Sequence, residues 1–283
     1  MIPKNTKHER LKMSVDIQYL VEKKDMIAVF DGLIDPILCN QLIAELRPIW
    51  KAISKEGQTA GGPMPLMKAS LDATLSASKM GDNWTETLGM IESKVYEGIT
   101  SAVAWYRAEF EALHALHNIF DTGFQLQQYP QHGGFYRQHV DSLPDDPASC
   151  NRILGCIIYL NTVEVGGETE FPMHNASVKP VSGRIALFPA TFTHPHVGRP
   201  ALSEDKWIVS TFICNKAVTT QDLPAPTHNE HDAPHTHFDD AFSHQPDEHD
   251  GHTHDGSGAI KARLTEYNEL DWEETAHLGL GGV

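Results

Sequence analysis

The sequence has few cysteines, no long apolar run and no signal-like leader. Its four cysteines, among 283 residues, form no CxxC pair and no zinc-type spacing, which favours reduced thiols over a disulfide scaffold or a metal finger. No apolar run approaches the roughly 20 residues of a membrane-spanning helix, and the polar start MIPKNTKHERLK lacks the apolar core of a signal peptide. We therefore expect a cytoplasmic protein that does not act in a membrane.

Positive charge is also scarce. The chain has 22 Lys and Arg against 38 Asp and Glu, which gives a net charge of −16. Most of this excess lies in residues 217–283, which carry fourteen acidic and two basic side chains, so the preceding part is only mildly acidic. A chain of this sign does not attract a phosphate backbone through its bulk charge, and we expect no nucleic-acid partner.

Residues 1–122 predict a supporting region of strands and helices that belongs to the same domain as residues 123–216. Residues 26–33, MIAVFDGL, predict a short strand that runs into a turn. Asp35 and Pro36 then predict a helix start, because Asp is a good N-cap and Pro suits the first helical position.

Two further segments complete this region. Residues 56–82 are rich in Gly, Ala, Ser and Met without a clear period, and they predict a loop or lid. Residues 84–117 predict a long helix, because apolar residues recur at spacings of three and four. That stripe, which we expect to pack on the core, comprises Leu88, Ile91, Val95, Ile99, Ala102, Tyr106, Phe110 and Leu113.

The pattern changes at residue 123. From there to residue 216 short β segments alternate with turns; they read FQLQQY, FYRQHV, RILGCIIYLN, GRIALFP and WIVSTFIC. Short strands at this spacing are typical of a barrel or sandwich. Helices followed by many strands predict a mostly β fold with flanking helices (α+β), a jelly-roll barrel with helices packed on one face.

The C-terminal part has a different composition. Residues 217–258 are rich in His and Asp and poor in large aliphatic residues, so they predict a disordered segment that cannot offset its ordering entropy. Eight of the seventeen histidines lie here, and two interpretations stay open: a binding segment for extra divalent metal, or an acidic tail that keeps the protein soluble. Residues 259–283 predict a short helix with apolar positions Leu264, Tyr267, Leu270 and Trp272.

The strongest functional signal is His139-Val-Asp141. Alternate side chains of a strand share a face, so His139 and Asp141 are expected to point the same way. A histidine from a distant strand would complete two histidines and one carboxylate on one face of a metal, an arrangement that suits non-haem Fe(II) oxygenases. His194 and His196 are the candidates for this third ligand, and only one of them is needed.

Lys206 lies ten residues after His196 and begins an apolar segment. A cation at this position could reach the far carboxylate of a dicarboxylic co-substrate whose other end chelates the metal. The alternative is an exposed lysine, which is the usual environment of this residue type.

These residues lie in a stretch that resembles the prolyl 4-hydroxylase-like branch of the iron(II)- and 2-oxoglutarate-dependent dioxygenases. Four pieces match in order. They are Tyr129-Pro130 with Gly133-Gly134, Phe135 and Tyr136 before His139-Val-Asp141; Tyr159-Leu160-Asn161; Gly166-Gly167-Glu168-Thr169-Glu170-Phe171-Pro172; and Phe188-Pro189 followed by Pro195-His196, with Lys206 ten residues further on.

The resemblance implies a double-stranded β-helix and an iron site. It implies that His139, Asp141 and His196 are the metal ligands, with Fe(II), 2-oxoglutarate and O₂ as cofactor and co-substrates and with ascorbate in support. His196 is favoured over His194, because Pro200 and a basic residue follow it at the spacing of the family.

The resemblance also implies a co-substrate site. Lys206 is expected to pair with the distal carboxylate of 2-oxoglutarate, while Tyr129, Tyr159 and Thr169 are candidates to hydrogen-bond to the co-substrate. For the two tyrosines the alternative is a core aromatic ring whose hydroxyl is satisfied within the protein.

The function implied is hydroxylation of a C–H bond in a prolyl or other side chain of a peptide or protein, coupled to conversion of 2-oxoglutarate to succinate and CO₂. A second hypothesis is hydroxylation of a free amino acid or small metabolite. A third, of another class, is a cupin-like metal-binding barrel without turnover. Asp141 and Lys206 oppose the third hypothesis, and residues 1–122 are only loosely similar to the family, so the substrate is not named.

Overall fold

The computed structural model describes residues 19–59, 62–115 and 118–215. The segments 217–258 and 259–283 lie outside the described residues, so the predictions made for them stay predictions. In chain order the strands and helices are β1 Leu20–Lys24, β2 Ile27–Phe30, α1 Pro36–Leu46, α2 Trp50–Ile53, β3 Lys55–Glu56, β4 Gln58–Thr59, β5 Gly62–Pro63, β6 Lys68–Ala69, β7 Leu71–Leu75, α3 Ala77–Met80, α4 Glu86–Glu109, β8 Ile119–Asp121, β9 Phe124–Tyr129, β10 Phe135–His139, β11 Arg152–Tyr159, β12 Thr169–Phe171, β13 Ala176–Val178, β14 Ile185–Pro189, β15 His196–Gly198 and β16 Lys206–Asn215.

The first strand and helix predicted from the sequence are confirmed. Strand β2 lies within residues 26–33, and α1 begins at Pro36. The side chain of Asp35 caps this helix, because its Oδ1 accepts a hydrogen bond of 2.8 Å from the backbone N–H of Ile37. The bond satisfies one of the backbone donors that a helix start leaves without an intrahelical partner.

The long helix is confirmed but is shorter than predicted. Helix α4 covers Glu86–Glu109 and is capped by Thr85, whose Oγ1 accepts from the backbone N–H of Leu88 at 3.1 Å. It ends because Phe110 adopts an extended backbone (φ −107°, ψ 99°), and a 3-10 turn over Glu111–Ala115 follows. The buried stripe packs on the core as expected. Among the described residues, none of the helices combines the length and the apolar character that crossing a bilayer requires.

The loop predicted for residues 56–82 is wrong over much of its length, because β4, β5, β6, β7 and α3 lie within it. Strand β7 pairs antiparallel with β9, and β6 pairs antiparallel with β10. Both are fixed by partners far along the chain, and local pattern gives little sign of them because Lys68, Ser70 and Asp72 are polar yet buried. This segment therefore contributes to the barrel wall.

Two antiparallel sheets form the barrel. The large sheet has the order β1-β2-β14-β11-β16-β9-β7-β3, with β8 also paired to β16; the small sheet has the order β13-β12-β15-β10-β6. Strands from before residue 123 take part in both sheets. The five β segments predicted in residues 123–216 are confirmed as β9, β10, β11, β14 and β16. The architecture is the expected jelly-roll, or double-stranded β-helix.

The large sheet separates two apolar clusters. In β2, Ala28 and Phe30 face the cluster that contains α1 and α4, while Ile27 and Val29 face the cluster between the sheets. This is the two-residue alternation of a strand that is buried on both faces. The helices thus pack on one face of the barrel, as predicted, and leave the space between the sheets for the site.

Candidate metal and co-substrate site

His139 and His196 meet because their strands are neighbours in the small sheet. His139 is the last residue of β10, His196 is the first of β15, and the two are register partners. Asp141 lies beyond the end of β10, where its backbone N–H donates to the carbonyl of Ala190 at 3.0 Å. Strand alternation therefore does not aim Asp141 as expected from the sequence; the loop after β14 holds it.

A glycine makes room for the carboxylate. A Cβ atom on Gly155, in the middle of β11, would lie 2.7 Å from Oδ2 of Asp141 and 2.6 Å from the ring of Phe188. Any larger residue would displace the carboxylate or the ring, since real Cβ contacts are not this short. The sequence context RILGCIIYLN gives no sign of this close approach.

The three side chains form a compact donor set. The ligand atoms of His139, Asp141 and His196 all lie within 4.8 Å of one another. Nε2 of His139 is 3.4 Å from Oδ1 of Asp141, and Nε2 of His196 is 3.7 Å from Oδ2. Two imidazoles and one carboxylate of this kind fit a ferrous ion and leave coordination positions open.

Hydrogen bonds set the tautomer of each imidazole. Nδ1 of His139 is 2.8 Å from the carbonyl of Arg137, and Nδ1 of His196 is 3.2 Å from the carbonyl of His194. Because a carbonyl can only accept, a neutral ring in this position carries its proton on Nδ1. Each Nε2 then presents a lone pair towards Asp141, which is the orientation that a metal-binding histidine requires.

The electrostatics keep the donors in metal-binding forms. Burial alone would raise the pKa of Asp141, but its contacts with the His196 and His139 side chains and the nearby guanidinium of Arg152 together lower it. Burial lowers the pKa of His196 to about 4. At neutral pH the carboxylate is ionised and this imidazole is neutral, the states in which each binds a cation.

His194 lies outside the donor set. Its Nε2 is 2.7 Å from the carbonyl of Asp25, and its ring stacks on His174 with centroids 4.1 Å apart. It occupies the turn before β15 and belongs to no strand, so of the two candidate histidines only His196 joins the donor set.

We predict that the two histidines differ in their effect on iron binding. His196→Ala removes a donor and should weaken Fe(II) binding by well over tenfold in anaerobic titrations, more than the loss of a supporting contact costs. His194→Ala keeps the backbone carbonyl that accepts from Nδ1 of His196, so its effect should be milder. The reverse order would show that the assignment of the third ligand is wrong.

Lys206 is buried beside the same site. It is 2% exposed, so the alternative of an exposed lysine is wrong. Its Nζ donates to the carbonyl of Gly167 at 3.0 Å and lies 4.7 Å from the ring centroid of Tyr129. Within the ranges that the structure describes, no carboxylate lies within ion-pair distance of this ammonium. Burial lowers its pKa to about 8, with Glu168 acting in the opposite direction.

One cavity unites the metal donors with Lys206. It is lined by all three donors and by Lys206, Tyr129 and Thr169, and its apolar wall consists of Ile157, Phe188, Ile208 and Phe212. A buried cation in a cavity that also holds a metal-binding set is an environment suited to a chelating acid with a second, distal carboxylate.

Of the three residues predicted to hydrogen-bond to the co-substrate, two line the cavity and one does not. Tyr129 lines the cavity, but its hydroxyl donates to Oε1 of Gln127 at 2.6 Å, so the hydroxyl oxygen is left to accept. Burial raises the pKa of Tyr129 well above its usual range. Tyr159 does not line the cavity; its hydroxyl donates to Oγ1 of Thr169 at 2.7 Å, and Thr169 does line it.

Sequence reasoning gave no role to several site residues. Tyr136 stacks on the imidazole of His139 with ring centroids 3.5 Å apart and 15° between the planes. Arg152 donates from Nη1 to the backbone carbonyl of Asp141 at 3.0 Å. Gln127 and Ser210 line the cavity. The position of Arg152, a basic residue at the start of the apolar run RILGCIIYLN, could have indicated a role in the site. Nothing in the sequence indicates a role for Gln127 or Ser210.

The fold and this site define a class of protein. Residues 124–214 match the model of the 2OG-Fe(II) oxygenase superfamily. The donor set and Lys206 fit the iron and 2-oxoglutarate for which the superfamily is named. The resemblance read from the sequence motifs is confirmed.

Within that superfamily the relatives are prolyl hydroxylases by name. Prolyl 4-hydroxylase subunit alpha-3 of Homo sapiens is 37% identical over 95 residues, which cover 29% of this chain and 17% of the human protein. A protein of Acanthamoeba polyphaga mimivirus that bears the prolyl 4-hydroxylase name is 34% identical over 95 residues, which cover 28% of this chain and 39% of the viral one. The chain thus spans well under half the length of these relatives.

Solved structures share the fold at low sequence identity. A prolyl hydroxylase of Trichoplax adhaerens, in complex with a hypoxia inducible factor oxygen degradation domain peptide fragment, aligns with a TM-score of 0.55 and 17% identity over 73% of this chain and 90% of its own. The viral collagen prolyl hydroxylase of Paramecium Bursaria Chlorella virus-1 aligns with a TM-score of 0.50 and 18% identity over 68% of this chain and 97% of its own.

Proposed function

We propose that the protein is an Fe(II)- and 2-oxoglutarate-dependent dioxygenase that hydroxylates a prolyl, or other, side chain of a peptide or protein. One observation carries the proposal: a single cavity is lined by two histidines, one carboxylate and a buried ammonium that has no carboxylate partner among the described residues. The prolyl 4-hydroxylase names of the relatives, and a structural neighbour bound to a peptide, support the substrate class.

Each part of the cavity has a role in this proposal. His139, Asp141 and His196 would hold Fe(II), which with 2-oxoglutarate and O₂ supplies the oxidising power for C–H hydroxylation and releases succinate and CO₂. Lys206 would bind the distal carboxylate through a charge-assisted hydrogen bond. Thr169, whose hydroxyl oxygen already accepts from Tyr159, has its own proton free to donate into the cavity.

Aromatic rings form the part of the cavity wall that lies against the metal donors. Phe188 packs edge-on against the ring of His196 with centroids 4.7 Å apart, and Tyr136 covers the ring of His139. These rings shield one side of the donor set and fix the imidazole planes. The apolar part of the wall also strengthens the attraction between Lys206 and an anion, because it lowers the local dielectric constant.

Substrate identity is tested by 2-oxoglutarate turnover with a panel. The protein with Fe(II) and ascorbate is given proline-containing peptides, free proline and other free amino acids, and succinate and substrate mass are measured. The proposal expects succinate matched by a gain of one oxygen atom in a peptide. Turnover with free amino acids only would favour the small-metabolite hypothesis, and omission of ascorbate tests whether it supports activity, which stays a prediction.

A cupin-like metal-binding barrel, unlike a dioxygenase, should not respond to 2-oxoglutarate. A storage barrel binds metal through its donors alone and has no need of a buried cation beside them. Lys206 is costly to bury, which favours a site that takes an anionic co-substrate. A protein that binds Fe(II) but never responds to 2-oxoglutarate would support the storage barrel.

The cytoplasmic location belongs to the same proposal. All four cysteines are free thiols, and three of them, Cys39, Cys156 and Cys214, are buried. Free thiols of this kind are typical of proteins in reducing compartments. The proposal includes no nucleic-acid or membrane partner, while metal binding by the histidine-rich segment 217–258 stays a prediction about residues outside the described ones.

Co-substrate binding should depend on pH through Lys206. Burial lowers the pKa of the free ammonium to about 8, and a bound carboxylate would raise it, so the protonated form binds. The affinity for 2-oxoglutarate should be constant below pH 8. Above pH 8 it should weaken by about tenfold for each pH unit, because Lys206 of the free protein has lost its proton and must regain it before the carboxylate binds. Anaerobic titrations at several pH values measure this. Lys206→Arg should show no such loss; an identical loss in that variant would assign it to another group.

A further inference from the structure

A buried polar cluster lies where the chain crosses from the small sheet to the large one. Strand β6 pairs with β10, β7 pairs with β9, and Ser70 alone separates β6 from β7. The carboxylate of Asp72 accepts from Lys68 Nζ at 2.7 Å, from Ser70 Oγ at 2.8 Å and from Gln125 Nε2 at 3.2 Å. We call these four residues the Asp72 cluster.

The first arm of the Asp72 cluster leads to a metal donor. Nζ of Lys68, which is 2% exposed, lies 5.2 Å from the ring centroid of Tyr136. The ring of Tyr136 stacks on His139. A desolvated cation is attracted to the face of an aromatic ring, so Lys68 holds Tyr136 in place. Tyr136 in turn restricts rotation of the His139 imidazole.

The second arm leads to the buried ammonium. Nε2 of Gln127 donates to Oε1 of Gln125 at 3.1 Å and to Oγ of Ser210 at 2.9 Å, while its Oε1 accepts from Tyr129. Both amide protons of Gln127 are used, which fixes its carbonyl oxygen and therefore the direction of the Tyr129 hydroxyl. The ring of Tyr129 is thereby held beside Nζ of Lys206.

We propose that the Asp72 cluster positions both halves of the site, His139 through Lys68 and Tyr136, and Lys206 through Gln127 and Tyr129. A buried ion pair is weak evidence for stability, since apolar residues of similar volume often replace one without loss. Here two of the three contacts that Asp72 accepts, those from Lys68 and Gln125, lead on to residues of the cavity. Lys68, Asp72 and Gln127 are positioning residues, and this inference rests on the proposed function.

The second arm is tested by Gln127→Leu. This variant keeps the volume but loses the acceptor for Tyr129, so the apparent constant for 2-oxoglutarate should rise about three- to tenfold, the effect of losing one hydrogen bond. Fe(II) affinity without co-substrate should stay within about twofold of the parent, because this arm does not reach a metal donor. Unchanged 2-oxoglutarate binding in a folded Gln127→Leu protein would overturn this arm.

The first arm is tested by the double variant Lys68→Gln with Asp72→Asn. Neutral side chains keep hydrogen-bonding groups but remove the cation beside Tyr136. Fe(II) affinity should fall by about tenfold or more, as for lost support of a metal-binding histidine, and 2-oxoglutarate should bind more weakly as well. Lys68→Arg keeps the cation and should retain most of the iron affinity. The matched control, Lys94→Gln with Glu97→Gln, neutralises an exposed ion pair on α4 and should change neither constant.

Thermal unfolding of the metal-free proteins separates positioning from stability. The inference expects binding losses in variants whose unfolding temperature stays close to that of the parent. A folded double variant with parental Fe(II) and 2-oxoglutarate constants would show that the Asp72 cluster serves the fold alone. If the proposed function itself were wrong, the Fe(II) complex of the parent protein would not respond to 2-oxoglutarate, and this result is distinct from parental constants in the double variant.

Discussion

Asp141→Ala should abolish iron- and 2-oxoglutarate-dependent succinate formation. Asp141 is the only carboxylate in the donor set, and among the described residues no other cluster offers three histidine, cysteine or acidic ligands close enough to hold a metal. Loss of the carboxylate removes a donor and the charge that offsets a divalent cation. The loss of turnover should exceed the roughly 10- to 100-fold that removal of a supporting contact costs.

The control for this prediction lies in the same loop. Asp145 is exposed and belongs to no metal donor set of the described residues, so Asp145→Ala should keep parental turnover. Circular dichroism and the unfolding temperature of the metal-free proteins check that Asp141→Ala remains folded. A folded Asp141→Ala protein with unchanged succinate formation would contradict the assignment of the metal site.

Lys206→Ala should weaken the binding of 2-oxoglutarate and leave the binding of Fe(II) unchanged. A charge-assisted hydrogen bond contributes roughly 1.5–3 kcal/mol, and a tenfold change corresponds to about 1.4 kcal/mol. The apparent constant for 2-oxoglutarate should therefore rise by roughly ten- to a hundredfold. Fe(II) affinity without co-substrate should barely change, because Lys206 is not a metal donor. Anaerobic titration of the Fe(II) protein with 2-oxoglutarate measures the first effect, and titration of the metal-free protein with Fe(II) alone measures the second.

Lys206→Arg tests whether 2-oxoglutarate binding depends on the charge of Lys206 or also on the shape of its side chain. It should recover part of the binding, since Arg keeps the charge but presents a planar group of different reach. Two other cations near the barrel are already engaged: Arg184 pairs with Asp31 at 2.8 Å, and Arg199 pairs with Glu170 at 2.7 Å. Parental titration by Lys206→Ala would mean that another cation holds the carboxylate.

The barrel strands differ in how far their sequence predicts them. β11 and β14 are continuous apolar runs, which is the pattern of strands buried on both faces, and the sequence predicts them correctly. β6, β7 and the single residue between them include Lys68, Ser70 and Asp72, which are residue types typical of loops. Their burial depends on the Lys68–Asp72 ion pair and on pairing with β10 and β9, which no local window contains.

The candidate site is likewise predicted from the sequence only in part. The motif His139-Val-Asp141 and the resemblance to a known family indicate a metal donor set from sequence alone. The orientation of Asp141 depends on Ala190 and on the space above Gly155, which are tertiary contacts. In FQLQQY, the glutamines read as a solvent-facing strand face, whereas Gln127 is buried beneath Tyr129. Such polar networks become visible only when the partner strands are in place.

The measurement that tests the central claim most directly is the visible absorbance of the anaerobic Fe(II) protein during titration with 2-oxoglutarate. The proposed site requires the keto acid to chelate iron held by His139, Asp141 and His196, so a charge-transfer band should appear and saturate with 2-oxoglutarate. It should be absent in Asp141→Ala and should need much more 2-oxoglutarate in Lys206→Ala. A parent protein that binds Fe(II) but develops no such band at any 2-oxoglutarate concentration would contradict the assignment of this cavity as an oxygenase site.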